Sequence, residues 1–276
     1  MLYISSSCVS SDNIISSIKL LSKITKNIEL SGGTNDSKVT SGQLKKLKIE
    51  NNLNFLIHNY FPPPENSFVL NFADTSDLTR NFIAKSLEFC NSLNVPYYSI
   101  HSGFKRDILL KNEEMLVQNK EYSFEGIKKN LNWYFDNFNK ELALENLFQN
   151  SNVKKCFGSS IKDIENLLSL DDRVNLLLDL GHLKISSKYY NTNYEKDVEL
   201  LFTKYSDRIL EIHLSENNGY EDNHLSIDSD SIQYNIINNY KNILKKNKIN
   251  LTLEVRNNNL NELSKCYDLF QKTLGE

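Results

Sequence analysis

The chain of 276 residues is poor in residues that build special local structure: it has nine glycines, four prolines, two methionines and one tryptophan. It also lacks any apolar run close to the roughly 20 residues that a membrane-spanning helix requires. The opening segment, MLYISSSCVSSD, has neither the basic start nor the apolar length typical of a signal peptide. We therefore expect neither a membrane span nor a secretory leader.

Cysteine is equally scarce, and its four positions lie far apart in the chain with no CxxC pair. Isolated cysteines of this kind are more typical of buried thiols in a reducing compartment than of a disulfide framework. The sequence therefore predicts unpaired thiols and a cytoplasmic protein. The four positions are Cys8, Cys90, Cys156 and Cys266.

Positive charge is not concentrated anywhere in the chain. The 32 basic residues are spread thinly against 35 acidic ones, which leaves a net charge of −3. A protein that binds the phosphate backbone needs clustered Lys and Arg, so nucleic acid is an unlikely partner. Hydrophobic residues make up 39% and charged residues 24%, which is ordinary for a soluble protein of one large or two small domains.

Short apolar runs rich in β-formers alternate with longer stretches of helical period throughout the chain. Eight such strands, each followed by a helix, predict an α/β fold of the (β/α)₈ (TIM) barrel type, in one domain over 1–276. The rival is a doubly wound open sheet, but the turn after the first strand, ISSSCVSS, has none of the glycines of a GxGxxG motif. The strand candidates are 2–6, 27–30, 54–58, 97–101, 142–146, 174–180, 209–214 and 251–255.

One connection is longer than the others. Residues 102–122 separate the fourth strand from its helix, and loops of this length are usually functional or mobile. The segment is predicted to be a lid over the barrel mouth, with Lys105 and Arg106 meeting an anionic group of the substrate. A solvated charged loop is the alternative.

Chemically active side chains stand at the end of one predicted strand after another. All five histidines of the chain lie at or just beyond such ends, and successive groups are separated by about one βα unit each. Because these ends converge on one face of a barrel, we expect the side chains to meet there. They are His58, His101, Glu145, Asn146, Asp179, His182, His213, Asp222, His224 and Glu254.

Three of these acids interrupt apolar strands. Asp179 stands in LLLDL, Glu145 in LALEN and Glu254 in LTLEV, where a charge is costly unless it is paired or bound to metal. Asp222, by contrast, has a simple alternative as a solvated loop residue. Mixed His and carboxylate ligands suit zinc, manganese or cobalt. The pattern therefore indicates a metal site at the barrel mouth.

The same residues carry a resemblance to the xylose isomerase-like superfamily, which includes sugar phosphate isomerases and epimerases and the endonuclease IV-type (AP endonuclease family 2) barrels. The similarity runs in order from Glu29 to about Arg256. The segments that carry it are FLIHNYFPPPENSFVLNFAD, YYSIHSG, LALENL, LLLDLGHLKIS, IHLSENNGYEDNHLSID and LTLEVRN.

What the resemblance implies is a divalent metal ion held by Glu145, Asp179, His213 and Glu254. In the epimerase branch the two glutamates also exchange protons with the substrate carbon. Five further positions resemble the extra ligands of the endonuclease IV branch, which holds three zinc ions. One ion, either Mn²⁺ or Zn²⁺ with Co²⁺ as an option, is the expectation, although two or three remain open. The five positions are His58, His101, His182, Asp222 and His224.

The function expected from these features is a metal-dependent isomerase or epimerase of a small sugar or sugar phosphate. Glu145 and Glu254 would be its base and acid, with Asn146 orienting Glu145. His182, His224, Arg256 and Asn146 would contact the substrate.

Other function classes stay open. The first is a zinc phosphodiesterase acting on damaged DNA, although His101 is followed by Ser-Gly and Asp179 by Leu-Gly-His, which depart from that branch. A sugar-acid dehydratase or lyase and a non-catalytic binding barrel are further alternatives. In HLSIDSDSI the chain lacks the glycines usual in the epimerase branch, which puts the substrate rim in doubt. Homo-oligomer formation is also open.

Overall fold

Eight parallel strands close into a barrel in the computed structural model, which describes residues 1–32, 38–64, 68–111, 114–151, 155–256 and 259–275, with the backbone alone at 107–111 and 114–119. The order around the barrel is β1-β10-β9-β8-β7-β4-β3-β2. The predicted (β/α)₈ barrel is confirmed. Its strands are β1 (Leu2–Ser5), β2 (Asn27–Leu30), β3 (Asn54–His58), β4 (Tyr97–His101), β7 (Glu141–Glu145), β8 (Val174–Asp179), β9 (Ile209–Leu214) and β10 (Asn250–Leu253).

Helices surround the barrel, and their apolar sides pack on the strands. In one of them Ser160 accepts a hydrogen bond from the backbone amide of Asp163, and Ile164, Leu167 and Leu168 are buried behind this cap. The helices of the described residues are α1 (Ile14–Leu21), α2 (Ser41–Asn51), α3 (Asp77–Ser92), α4 (Phe124–Asn137), α5 (Ile161–Ser169), α6 (Leu180–Tyr190), α7 (Tyr194–Tyr205), α8 (Ile232–Asn247) and α9 (Leu260–Leu274).

The segment between β8 and β9 departs from the expected rhythm, because it holds two helices. Asn191 ends α6 in the left-handed conformation (φ 56°), and the side chain of Asn193 caps α7. Asp179 ends β8 and also caps α6, since its Oδ1 accepts from the backbone N–H of His182 at 2.7 Å. One carboxylate thereby fixes both the strand end and the helix start.

The long connection after β4 forms an antiparallel hairpin of β5 (Arg106–Lys111) and β6 (Glu114–Glu121). At its base, Lys105 Nζ lies 2.6 Å from Asp163 Oδ2, and Arg106 Nη2 lies 3.0 Å from Glu121 Oε1. Both cations are therefore paired with carboxylates of the chain itself.

The four cysteines are buried, and none of them forms a disulfide bond in the described part of the chain, as the sequence predicts. None of the helices in the described part of the chain is long and apolar enough to cross a membrane.

Candidate metal centre

A cavity of about 670 Å³ opens at the carboxyl ends of the barrel strands. Its polar wall includes Ser7, Glu254 and Arg256, and its apolar wall is formed mainly by Tyr60, Phe104, Leu147 and Phe148. Among the described lining residues, Arg256 is the one basic side chain of the Lys or Arg type. A cavity of this volume fits a small molecule. Further polar lining residues are His58, Asn59, His101, Glu145, His182 and His224.

At the centre of the site, candidate ligand atoms of Asp179, His213 and Glu254 lie within 4.8 Å of one another, and those of Glu145, Asp179 and His182 form a second such group. Asp179 belongs to both groups. In the strand order, β10 and β7 flank β9 and β8, so Glu254 and Glu145 stand on opposite sides of His213 and Asp179. The structure therefore brings together the four residues expected to hold a metal ion.

The buried polar atoms of this centre support that expectation. Glu145 Oε2, Asp179 Oδ2 and His213 Nδ1 are buried, and within the described part of the chain none of them has a partner in hydrogen-bond geometry. Unsatisfied buried polar atoms are costly, and a bound cation would account for them. The donor set of carboxylate oxygens and imidazole nitrogen suits zinc or manganese. These residues fit a divalent ion.

Glu29 lies beneath the centre and was not among the predicted site residues. Its Oε2 is 2.9 Å from His213 Nε2, and both side chains are fully buried. This contact leaves His213 Nδ1 facing Glu254 Oε2 at 3.4 Å. Burial alone would lower the pKa of His213, but Glu29 and Glu254 outweigh it and raise the pKa well above its usual value. Glu29 interrupts the apolar strand NIEL, which is the signal that identified Glu254.

The wall next to Glu145 holds two histidines. His58 Nε2 is 3.2 Å and His101 Nε2 is 3.1 Å from Glu145 Oε2. Burial alone would raise the pKa of Glu145, but His101 and His58 outweigh it and hold the pKa well below its usual range. Glu145 is therefore ionised at neutral pH. The structure brings His58, His101 and Glu145 together, as the sequence predicts.

A third group lies at the rim, where Asp222 stands between two histidines. Asp222 Oδ2 is 3.5 Å from His182 Nε2 and 2.8 Å from His224 Nε2. His182 Nδ1 contacts the backbone carbonyl of Asn146 at 2.9 Å, and His224 Nδ1 contacts the backbone carbonyl of Glu254 at 2.8 Å. Burial would raise the pKa of Asp222, but both histidines outweigh it and lower that pKa.

Asn146 is fully engaged with the end of β8. Its Oδ1 accepts from the backbone N–H of Asp179 at 2.7 Å, and its Nδ2 donates to the carbonyl of the same residue at 3.0 Å. The structure thus places the Asn146 amide on the backbone of Asp179, while Glu145 precedes it on β7. Burial raises the pKa of Asp179 to about 6.

Eight parallel strands with a mixed His and carboxylate site at their carboxyl ends define the class of this protein, a TIM barrel with a candidate metal centre at the barrel mouth. Residues 28–265 match the family described as xylose isomerase-like TIM barrel, and the chain belongs to that family.

The relatives found by sequence and by structure carry different names. An uncharacterized protein of Methanocaldococcus jannaschii is 32% identical over 148 residues, which cover 50% of this chain and 57% of that protein, so the match spans little more than half of it. The structure of a D-tagatose 3-epimerase-like protein has a TM-score of 0.71 at 17% identity and covers 99% of this chain and 97% of its own.

Two further solved structures widen the range of names. An AP endonuclease, family 2, from Brucella melitensis has a TM-score of 0.68 at 11% identity, with 96% of both chains covered. The IOLI protein, whose structure contains a zinc atom, has a TM-score of 0.65 at 15% identity and covers 99% of this chain and 98% of its own. At these identities the likeness shows the fold alone. Structures named for an epimerase-like protein and for an endonuclease share this fold, so the fold does not choose the reaction.

Proposed function

We propose that this protein is a metal-dependent isomerase or epimerase of a small sugar or sugar phosphate. The observation that carries the proposal is the placement of Glu145 and Glu254 in the wall of one small-molecule cavity, on opposite sides of Asp179 and His213. Two carboxylates so placed can address two faces of one carbon atom. Proton removal next to a carbonyl needs this kind of positioned base together with a Lewis acid.

Glu145, Asp179, His213 and Glu254 would hold the ion, each through an atom that faces the centre. A divalent ion bound there supplies a Lewis acid that polarises the carbonyl oxygen of the sugar. Glu254 has its Oε1 within 3.3 Å of Ser7 Oγ, which holds the carboxylate in place. Burial would raise the pKa of Glu254, but His213 outweighs it and keeps the group ionised. For inversion at the carbon, one glutamate in its ionised form would take a proton from one face, and the other would have to be in its protonated form to return one to the opposite face.

The rim of the cavity supplies the contacts that orient the sugar. His182 and His224 present their Nε2 atoms on one side, and Arg256 follows Glu254 and Val255 on the adjoining strand end. Arg256 suits an anionic or hydroxyl group of the substrate. The apolar wall of Tyr60, Phe104, Leu147 and Phe148 would exclude water from the reacting carbon.

A second candidate function, a phosphodiesterase with more than one metal ion, is favoured by the group of His182, Asp222 and His224. Their facing Nε2 and Oδ2 atoms could hold a further ion beside the central one, and multi-metal sites stabilise the attacking and leaving oxygens of phosphoryl transfer. The cavity argues against a nucleic-acid substrate, because phosphate-backbone binding needs several cations and Arg256 alone supplies one among the described lining residues.

Deuterium uptake tests the proposal. The protein loaded with Mn²⁺ or Zn²⁺ is incubated in D₂O with a panel of ketoses, aldoses and their phosphates, and deuterium at the carbon next to the carbonyl is measured by NMR. We expect uptake with at least one sugar, and its loss in both Glu145→Gln and Glu254→Gln while metal binding is weakened less. Near-normal turnover of either Gln variant on the sugar so found would overturn the assignment.

A further inference from the structure

Each histidine of the site has one ring nitrogen that contacts the surrounding backbone or a supporting side chain, and one that faces the carboxylates of the cavity or its centre. In a neutral ring, the nitrogen next to a hydrogen-bond acceptor carries the proton, and the other nitrogen is bare and able to bind metal. The partner of the protein-facing nitrogen therefore decides whether a histidine can be a ligand. The five rings are those of His58, His101, His182, His213 and His224.

Four of the five rings have an acceptor at the protein-facing nitrogen. Carbonyl oxygens face Nδ1 of His182 and of His224, and the Glu29 carboxylate faces Nε2 of His213. For His58, Nδ1 is 3.1 Å from Ser99 Oγ, whose own hydroxyl donates to the carbonyl of Ile57 at 3.4 Å. In each of these rings the protein-facing nitrogen can hold the proton of the neutral form, which leaves the nitrogen directed at the cavity or its centre able to bind metal.

His101 has the opposite arrangement. Its Nδ1 is 3.1 Å from Asn59 Nδ2, an amide nitrogen that can only donate. The orientation of this amide is set by its oxygen, since Asn59 Oδ1 accepts from the backbone N–H of His101 at 3.4 Å. The Asn59 backbone is itself fixed, with its N–H donating to Ser99 O at 2.8 Å and its carbonyl accepting from the Tyr98 hydroxyl at 2.9 Å. Nδ1 is thus an acceptor, and the proton of neutral His101 lies on Nε2.

We propose that His101 presents an Nε2–H donor to a substrate oxygen beside Glu145 and is not a metal ligand. The inference rests on the proposed function for the identity of the substrate, but its structural part stands apart from turnover. His101 is partly exposed and lines the cavity. Nε2 is 3.1 Å from Glu145 Oε2, so a substrate oxygen bound beside Glu145 would lie within reach of the same N–H.

The proton on His101 Nε2 limits the number of metal ions that the site can hold. A metal at the group of His58, His101 and Glu145 would require a bare Nε2 on His101, and therefore a proton on Nδ1 pointing at the Asn59 amide hydrogens. The residue types of a further metal centre are present at this group, but the hydrogen bonding around His101 does not fit it. We assign the group to substrate binding.

Long-range ¹H–¹⁵N NMR of the histidine rings tests the proton position directly. In the protein with zinc added, we expect a protonated Nε2 and a bare Nδ1 on His101. His58 is expected to show a bare or zinc-bound Nε2. A bare Nε2 on His101, or a zinc-bound one, would overturn the proposal.

The Asn59→Asp variant reverses the arrangement. A carboxylate at 59 can accept from both the backbone N–H and Nδ1–H of His101, which would free Nε2 and create the carboxylate–histidine pair typical of metal ligands. We expect this variant to bind one more zinc ion per chain than the wild type. The double variant Asn59→Asp, His101→Gln keeps the added charge without the ring, and should lose the extra ion. An unchanged zinc content in Asn59→Asp would contradict the account.

Two single variants separate a donor from a ligand. His101→Gln keeps an N–H near the position of Nε2, whereas His101→Ala removes it. We expect both variants to keep the zinc content of the wild type. The kcat should be about tenfold lower in His101→Ala, which is the scale of one hydrogen bond to a charged or polarised group, and should be largely restored in His101→Gln. Loss of one zinc from both variants would overturn the proposal. If no sugar reacts at all, the NMR and zinc results still decide the role of His101.

Discussion

Glu29 shows how a residue that never reaches the cavity can control the chemistry there. It contacts the nitrogen of His213 that points away from the centre, and this fixes which nitrogen of the ring is offered to a metal ion. Carboxylates in this position also raise the basicity of a histidine ligand. Glu211 is the natural comparison, because it is equally buried and its Oε1 is 3.8 Å from the same nitrogen, but it bonds to Thr252 instead.

Replacing Glu29 with Gln should weaken zinc binding by about 10- to 100-fold, since the charge that supports His213 is lost while the shape is kept. The measurement is competition for zinc against a chelator of known affinity. Glu211→Gln is the matched control, and we expect it to change the affinity by much less, because burial raises the pKa of Glu211 to about 7 and Thr252 is its bonded partner. Equal losses in the two variants would contradict the role given to Glu29.

Zinc affinity should also depend on pH. In the metal-free site the pKa of His213 is raised well above its usual value, mainly by Glu29 and Glu254 against the effect of burial, so the ring is protonated at neutral pH. An ion must displace that proton, and lowering the pH therefore weakens binding while raising it strengthens binding. We expect about a tenfold loss for each proton displaced per pH unit. An affinity that stays constant between pH 6 and 8 would contradict this.

The residues of the site divide into those that the sequence identifies and those that it does not. Glu145, Asp179 and Glu254 were predictable because a charge inside an apolar strand needs a reason. Glu29 carries the same signal in NIEL and was missed because it lies near the middle of the barrel and not at its mouth. The orientation of the Asn59 amide was out of reach, since it depends on the backbone geometry where β3 and β4 end.

At the level of elements, the strands were predicted to within one or two residues because each is a short apolar run in a helical background. The division of one expected helix into α6 and α7 had a visible signal in YNTNY, where Asn191 ends one helix and Asn193 caps the next. The hairpin of β5 and β6 gave no such signal, because its charged residues hide the alternation of a strand pair.

Helix α4 offers a test of packing against the loop before α3. A Cβ added at Gly126 would lie 2.3 Å from the carbonyl oxygen of Ala73, so Gly126→Ala should destabilise the fold by about 1–3 kcal/mol. Gly42 in α2 is the matched control, since an added Cβ there meets only Thr40 Oγ1 at 4.0 Å. Gly42→Ala should be neutral or stabilising by up to about 1 kcal/mol. Urea unfolding measures both, and equal stability of the two variants would contradict the packing argument.

The hairpin is the element that we propose as a lid. Its base is tied by Lys105 to Asp163 in α5, which leaves the rest of 102–122 as the segment that would close over the mouth. Limited proteolysis should cut this segment more slowly when the protein is saturated with the most reactive sugar of the D₂O panel. Cleavage at an unchanged rate would count against a lid.

For the molecule as a whole, the arrangement concentrates its chemistry at one end of the barrel. Glu145, Asp179, His213 and Glu254 come from four separate strand ends and meet only when the barrel closes. The rim group of His182, Asp222 and His224 depends on the loop after β9, where His224 adopts a positive φ of 48°. We therefore propose that the central four residues form the metal centre and that the rim binds substrate.

The metal content of freshly purified protein, measured by elemental analysis, tests this central claim most directly. We predict one ion per chain for the wild type and for His224→Ala, because the four central ligands are intact in both. His213→Ala should contain none, since it removes the nitrogen at the centre of the site. Three tightly held zinc ions in the wild type, or a metal-free His224→Ala protein, would contradict the account.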